Sequence, residues 1–349
     1  MKIGQLNLEH PVALAPMAGM TDTAFRRLVK RKGGCGLVVT EMVSSEGLVR
    51  GIDRTLEYAE YTEEERPVSI QIFGGDPHVM ADAAQVVEGM GADVVDINMG
   101  CPVQKIAKHN AGCSLMREPA HAASIVRAMA SAVKIPVTVK MRAGWNDNEI
   151  NAPLLARMVE DAGAAALAVH GRTAAQSYTG ESDWSLIARV AASVKIPVFG
   201  SGDCVLPAHV VARLRETGSG GVLVGRGALR NPWIFSQAAS LSDGASEPSE
   251  ITLEERGQFL LDYVDLLVRE RVNEAHGFRH VAPGADAGTA TPARGRERWV
   301  INKVRALGAW YTKGLDGGSQ LRVAINSTES IASLRALIGD FFFAPQLAS

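Results

Sequence analysis

A cysteine set between a glycine and a proline is badly placed for packing and well placed for chemistry. In Asn98-Met99-Gly100-Cys101-Pro102 the thiol follows the apolar run Val94-Val95-Asp96-Ile97 and lies in no periodic core position. A thiol with an ordinary pKa of about 8.5 stays mostly protonated at neutral pH. Cys101 is therefore suited to give a proton as a general acid or, once activated, to attack as a nucleophile. Cys35, Cys113 and Cys204 lack that setting and read as small buried or loop residues. Other polar residues close apolar runs in the same way. Lys140 ends Val137-Thr138-Val139-Lys140, where its ammonium either snorkels from the rim of the fold or holds a negative ligand group. Gln71 and Asn98 each offer a donor and an acceptor, as recognition of a ring edge requires, and each can equally be a satisfied core amide. His170-Gly171-Arg172 follows Ala166-Leu167-Ala168-Val169, a setting that favours function over a buried structural histidine. Gly200-Ser201-Gly202-Asp203 and Gly225-Arg226-Gly227 close two further runs. Such turns let backbone N–H groups approach a ligand closely, and Arg226 adds a fixed positive charge suited to phosphate.

Each of these groups stands where a short apolar or β-branched run gives way to a helical pattern. The runs begin at Val12, Leu37, Val68, Val94, Val137, Ala166, Ile196 and Gly221, with helical patterns such as 77–90, 119–133, 152–162 and 207–217 between them. Near-continuous apolar runs mark strands buried on both faces, hence parallel ones. Eight alternations in about 240 residues predict a (β/α)8 TIM barrel of the α/β class in preference to an open doubly wound sheet. The near-duplicates Val133-Lys134-Ile135-Pro136-Val137 and Val194-Lys195-Ile196-Pro197-Val198 mark the bottoms of strands five and seven. Barrels place functional groups at the C-terminal ends of their strands and often a phosphate at the last two loops. Closure would thus gather residues that lie far apart in the chain.

Composition narrows the class. The 349 residues are 46% hydrophobic and 21% charged, which excludes a disordered chain, a collagen and a coiled coil. No apolar run is long enough to span a bilayer, and Met1-Lys2-Ile3-Gly4-Gln5 lacks the apolar core of a signal peptide. Four cysteines without a CxxC pair give neither a disulfide framework nor structural zinc, so a metal-free, cytoplasmic protein is expected. The net charge of −2 shows no whole-chain basic footprint for nucleic acid.

Beyond the barrel the pattern changes. Residues 241–249 read as a linker, and Thr252 with Glu255 forms a capping-box signature opening a helix to about 273. The stretch 277–295 has no periodicity and reads as a long mobile loop or an insertion. Helices are expected over 298–313, with Val300, Val304, Leu307 and Tyr311 on one face, and over 329–343. The expected division is a barrel at 1–240 and a small C-terminal helical domain at 250–349. Arg296, Arg298, Lys303, Arg305, Lys313 and Arg322 cluster there, and Lys303 and Trp310 share one helical stripe. A cation beside a Trp plane suits RNA, and a solvated amphipathic face is the plainer reading.

Taken together, Ala15-Pro16-Met17-Ala18-Gly19-Met20-Thr21-Asp22, Gln71-Ile72-Phe73-Gly74, the Asn98–Pro102 block, Val139-Lys140-Met141-Arg142, His170-Gly171-Arg172-Thr173 and Gly225-Arg226-Gly227 resemble the tRNA-dihydrouridine synthases. Order and spacing are closest to the bacterial B type, over about 220 residues, and the helical tail resembles that family's RNA-binding domain. The resemblance implies an FMN enzyme that reduces the C5–C6 bond of selected tRNA uridines with NADPH. It implies hydride from flavin N5 to C6 and a proton from Cys101 to C5. Pro16, Met17, Ala18, Gln71, Lys140, Ser201, Gly202, Asp203, Gly225 and Arg226 would meet FMN, with His170 beside them. Asn98, Arg172, Lys303, Arg305 and Trp310 would meet the tRNA, and no obligatory protein partner is expected. Ser201 departs from the family, which often carries Asn there. Two other readings remain at this stage. An FMN barrel acting on a free metabolite, such as a dihydroorotate or dihydropyrimidine, would explain the barrel groups but not the basic-aromatic tail. A catalytically silent RNA-binding barrel would carry no flavin.

Overall fold

The structure is a computed structural model that describes residues 1–107, 110–269 and 296–343. The apolar runs form parallel strands β1 (Val12–Leu14), β2 (Leu37–Val39), β3 (Val68–Phe73), β4 (Val94–Met99), β5 (Val137–Arg142), β6 (Ala166–His170), β7 (Val198–Ser201) and β8 (Gly221–Val224). Strands adjacent in the chain pair, β8 pairs with β1 at Val222↔Val12, and β2 pairs with β3 at Val38↔Val68, so the sheet closes on itself. The fold is a TIM barrel. Pro136 and Pro197 immediately precede β5 and β7, where a missing N–H costs no ladder bond. Outer helices begin on side-chain caps: Asp76 accepts from the N–H groups of His78 and Val79, and Asp183 from that of Leu186.

Alternation along the strands decides what faces the barrel axis. Ala13, Leu37, Val39, Ala166, Ala168, Phe199 and Leu223 fill the lower interior, and a hairpin of Lys2–Ile3 and Leu6–Asn7 closes the bottom through Ile3 and Leu8. The same alternation brings Ser69 and Gln71 of β3, Asp96 and Asn98 of β4, and Thr138 and Lys140 of β5 inward. Register sets Gln71 beside Asp96, Asp96 beside Thr138, and Asn98 beside Lys140. One wall of the barrel is therefore polar.

Past the barrel, helices Leu253–Val268, Arg296–Tyr311, Gly318–Ser327 and Ile331–Phe343 follow. Thr252 and Glu255 make the reciprocal capping box at the first of these. The stretch 277–295 lies outside the described residues. Gly318–Ser327 lies between the two helices expected from the sequence, and its Leu321 and Ile325, four apart, are buried. Val300, Val304, Leu307 and Tyr311 are all buried. The tail packs on the Thr23–Lys32 helix: Phe25 meets Phe259 and Tyr263 edge-on, with centroids 6.1 and 6.4 Å apart. Tyr311 stacks on Phe259, and the Tyr263 hydroxyl donates to Asp22 Oδ2 at 2.8 Å. One apolar cluster runs from the barrel's outer layer into these helices. Among the described residues no helix is long and apolar enough to cross a membrane.

Candidate active site

At the C-terminal ends of the strands lies a cavity of about 590 Å³, within the range that holds a cofactor or substrate. Its wall includes Pro16, Met17 and Ala18 after β1, Gln71 from β3, and Asn98 with Cys101 from β4 and its loop. Lys140, His170, Ser201, Gly202, Asp203, Gly225 and Arg226 complete the barrel side, and Trp310 of the tail reaches the mouth. Arg172, Lys303 and Arg305 do not line it.

The amides of the polar wall bond to one another, while the buried Ser69 hydroxyl has no partner among the described residues. Gln71 Nε2 donates to Asp96 Oδ2 at 2.7 Å, and Asn98 Nδ2 donates to Gln71 Oε1 at 2.8 Å. Asn98 Oδ1 in turn accepts from the backbone N–H of Gly100 at 3.1 Å and of Cys101 at 2.9 Å. The Cys101 carbonyl accepts from Cys113 N–H at 3.1 Å. Cys101 is half-buried, whereas Cys35, Cys113 and Cys204 are buried. Burial pushes those three thiols up to about 11, 11 and 12, leaving them inert at neutral pH.

Charge in the cavity is set by burial. Burial pulls the Lys140 ammonium down to about 8, with Arg142 adding to the effect while Asp96 and Cys101 oppose it. Burial first, then the cations Lys140, Arg142, Arg172 and Arg226, push His170 down to about 2, so the imidazole is neutral. Arg172 Nη1 stands 3.5 Å from His170 Nε2; a guanidinium only donates, which favours the tautomer protonated at Nδ1. Arg142 ties two loops to the rim, donating to the carbonyls of Gly100, Thr173 and Ser177 at 2.8 to 2.9 Å. The cavity lining thus carries three cations, Lys140, Arg142 and Arg226, against one carboxylate, Asp203.

Asp203 joins the last two strand loops. It accepts from Arg172 Nη2 at both oxygens, at 2.8 and 2.9 Å, from Ser182 N–H at 2.9 Å, and from Arg226 Nη2 at 3.2 Å. Gly202 beside it has φ +134°, and a Cβ there would lie 2.1 Å from Ser182 Oγ, so only glycine fits this turn.

Three expected substrate residues have other partners. Arg172 is clamped by Asp203 and by the carbonyls of Thr179 and Gly180. Arg305 donates to the carbonyls of Ile325 and Thr328 within the tail. The Lys303 side chain is 11% exposed, and its Nζ pairs with Asp22 Oδ2 at 3.1 Å and Glu41 Oε1 at 3.3 Å while donating to Gly19 O at 3.1 Å. Burial opposes its charge, but Asp22 and Glu41 outweigh burial and raise its pKa. Lys303 and Trp310 share the helix Arg296–Tyr311, but the cation beside the Trp310 plane is Lys313, at 4.2 Å, and Lys303 lies over Trp299, at 5.4 Å. Tyr178, which the sequence reading passed over, is 61% exposed at the rim between Arg142 and Arg226, 5.8 and 5.0 Å from its ring. Its signal was faint: one aromatic in the polar segment Gln176-Ser177-Tyr178-Thr179.

Fold and cavity together define a TIM-barrel protein with its candidate site at the face where such barrels do chemistry. Residues 13–336 match the family model described as Dihydrouridine synthase (Dus), and the chain belongs to the dihydrouridine synthase family. It is 35% identical over 346 residues to the probable tRNA-dihydrouridine synthase of Rickettsia conorii, covering 98% of this chain and 96% of that one. It is 37% identical over 343 residues to tRNA-dihydrouridine synthase B of Xanthomonas axonopodis pv. citri, covering 98% and 96%. Among solved structures it resembles morphinone reductase in complex with tetrahydroNAD, with a TM-score of 0.51 at 14% identity, covering 71% of this chain and 91% of that one. That likeness is one of fold.

Proposed function

We propose that this protein reduces the C5–C6 double bond of uridines in tRNA to dihydrouridine, with FMN in the barrel-top cavity and NADPH as reductant. The observation that carries the reading is the placement of Cys101 on the wall of a cationic cavity sized for a cofactor, its backbone held by Asn98. The residues suit FMN. Gly202 and Gly225 bring backbone to the cavity wall, Arg226 offers a cation to a phosphate, and Lys140 offers one to the anionic edge of a reduced ring. When bound, the flavin supplies hydride to uracil C6. The protein's own part begins with Lys140, whose ammonium stabilises negative charge at the ring edge. Neutral His170 provides a donor without adding charge. Cys101 protonates C5 of the uracil, and the thiolate left behind is reprotonated from solvent. Tyr178 and Trp310 flank the mouth and suit stacking on bases drawn out of the tRNA. Arg172, Lys303 and Arg305 act on tRNA only through the loops and helices they hold. The expected site of action is the cytoplasm, where tRNA is modified.

The test is turnover of unmodified tRNA with NADPH, read by mass spectrometry as a gain of two hydrogens on uridine. Reduction of tRNA uridine supports the reading. Turnover of free uracil or dihydroorotate without action on tRNA would reject it, as would purified protein that binds no flavin.

A further inference from the structure

We propose that Asp96 is a positioning residue that fixes the place of Cys101 through a relay of two side-chain amides, an inference that takes its functional meaning from the role just proposed for Cys101. Asp96 is buried in the barrel, below the cavity wall. Its carboxylate only accepts: Oδ1 takes the Thr138 hydroxyl proton at 2.6 Å, and Oδ2 takes Gln71 Nε2 at 2.7 Å. Gln71 must therefore turn Nε2 toward Asp96 and Oε1 away from it. Oε1 then accepts from Asn98 Nδ2, so Asn98 must turn Oδ1 toward its own loop. There Oδ1 holds the N–H groups of Gly100 and Cys101. Every amide in the chain has one orientation, and an acceptor-only group at one end together with two donor-only groups at the other imposes it.

A neutral asparagine at position 96 would fill the same space and reach the same neighbours, yet it could present either end to Gln71. Reversing Gln71 reverses Asn98 and brings an NH2 against two backbone N–H groups. The two N–H groups of the loop already disfavour that reversal, and the buried charge penalises it a second time at the other end of the relay. Burial raises the pKa of the Asp96 carboxyl above its ordinary value, and the hydrogen bonds from Gln71 and Thr138 with the nearby Lys140 ammonium oppose that cost in part. The three polar residues come from adjacent strands, with Gln71 and Asp96 in direct register, so the relay is set by the barrel itself. The loop that carries the thiol is thus tied to the barrel wall.

The experiment follows amide hydrogen exchange at Gly100 and Cys101 in the purified protein, alongside reoxidation of pre-reduced flavin by tRNA. Asp96→Asn should raise exchange at these two amides about three- to tenfold, the loss of one modest hydrogen bond each, with the rest of β4 and β5 unchanged. Asp96→Asn combined with Gln71→Glu moves the acceptor-only group one link along, so Asn98 keeps its orientation and protection should return to within about twofold of the parent. If Asp96→Asn fails to fold, Gln71→Leu breaks the relay at its second link and should give the same local rise. Unchanged protection, a rise spread over the whole barrel, or a double variant no better than the single would each overturn the relay. Failure of the functional reading is visible separately. Protein that never passes electrons to tRNA yet shows the local rise and its rescue supports the relay and rejects the role of Cys101 as uracil's proton donor.

Discussion

His170 carries no proton across the neutral range, because burial and four nearby cations hold its pKa at about 2. The unfolded chain takes that proton at about pH 6.5. Between those values the unfolded state binds more protons, so stability falls as the pH falls, by about 1.4 kcal/mol per unit for this one group. His170→Asn should flatten the acid limb of a plot of urea midpoint against pH; parallel limbs would show that His170 is protonated in the folded protein. Cys101 invites a kinetic test. Cys101→Ala should leave flavin bound and reducible by NADPH, and should slow reoxidation by tRNA by about 10²–10⁴-fold, the usual loss of a general acid. Cys101→Ser should rescue little, since a hydroxyl is a far weaker acid. Equal reoxidation rates would leave Cys101 a loop residue. Its Gly–Cys–Pro setting made it visible in sequence, as did the position of Lys140 at a run's end. Asp96 was hidden for the opposite reason: within Val94-Val95-Asp96-Ile97 a single inward carboxylate looks like an interruption of an apolar strand.

Among the elements, the loops after β7 and β8 act as one unit through Asp203. Arg226 is the only one of that unit's cations that lines the cavity, since Arg172 is turned to Asp203 and backbone carbonyls. Arg226→Ala should therefore lower the flavin-to-protein absorbance ratio of purified protein while the thermal transition stays cooperative. An unchanged ratio would remove the phosphate from these loops. Gly202→Ala should harm both properties, costing about 1–3 kcal/mol, because its φ disfavours any Cβ and Ser182 occupies the space. The strand ends were legible because strands buried on both faces write apolar runs, and a polar residue closing such a run marks the end. Tyr178 was not legible. Its place depends on Arg142 at the end of β5 and Arg226 after β8, side chains that the barrel brings to either side of one ring.

At the scale of the molecule, the tail supplies one wall of the cavity mouth and a lock on its edge. Trp310→Ala should weaken tRNA binding while NADPH oxidation continues, and binding unchanged by filter retention would take the tail's aromatic out of recognition. Lys303 has a different place from the one its charge predicts. Its partners Asp22, Glu41 and Gly19 lie more than 260 residues earlier in the chain, a relation no local pattern encodes. Reading it as a cation facing RNA followed from the helix alone; the barrel beneath that helix makes it a bolt instead. The bolt closes on the segment that carries Pro16, Met17 and Ala18, since Gly19 N–H also donates to Glu41. Lys303→Met keeps the packing of the methylenes and leaves two carboxylates, 9% and 6% exposed, without their cation. Breaking a buried pair in this way costs about 3–5 kcal/mol, so the urea midpoint should drop sharply at neutral pH. The pKa of Lys303 is raised in the fold, so its contribution is full below about pH 10.4 and fades as the pH rises through the folded value. The gap between parent and variant should therefore be wide at neutral pH and narrow in strong alkali. Flavin content should fall as well, because the loop at 16–18 loses an anchor. A midpoint equal to the parent's at neutral pH would mean that Asp22 and Glu41 are satisfied without the lysine, and that the tail is held to the barrel by its apolar contacts and the Tyr263–Asp22 hydrogen bond.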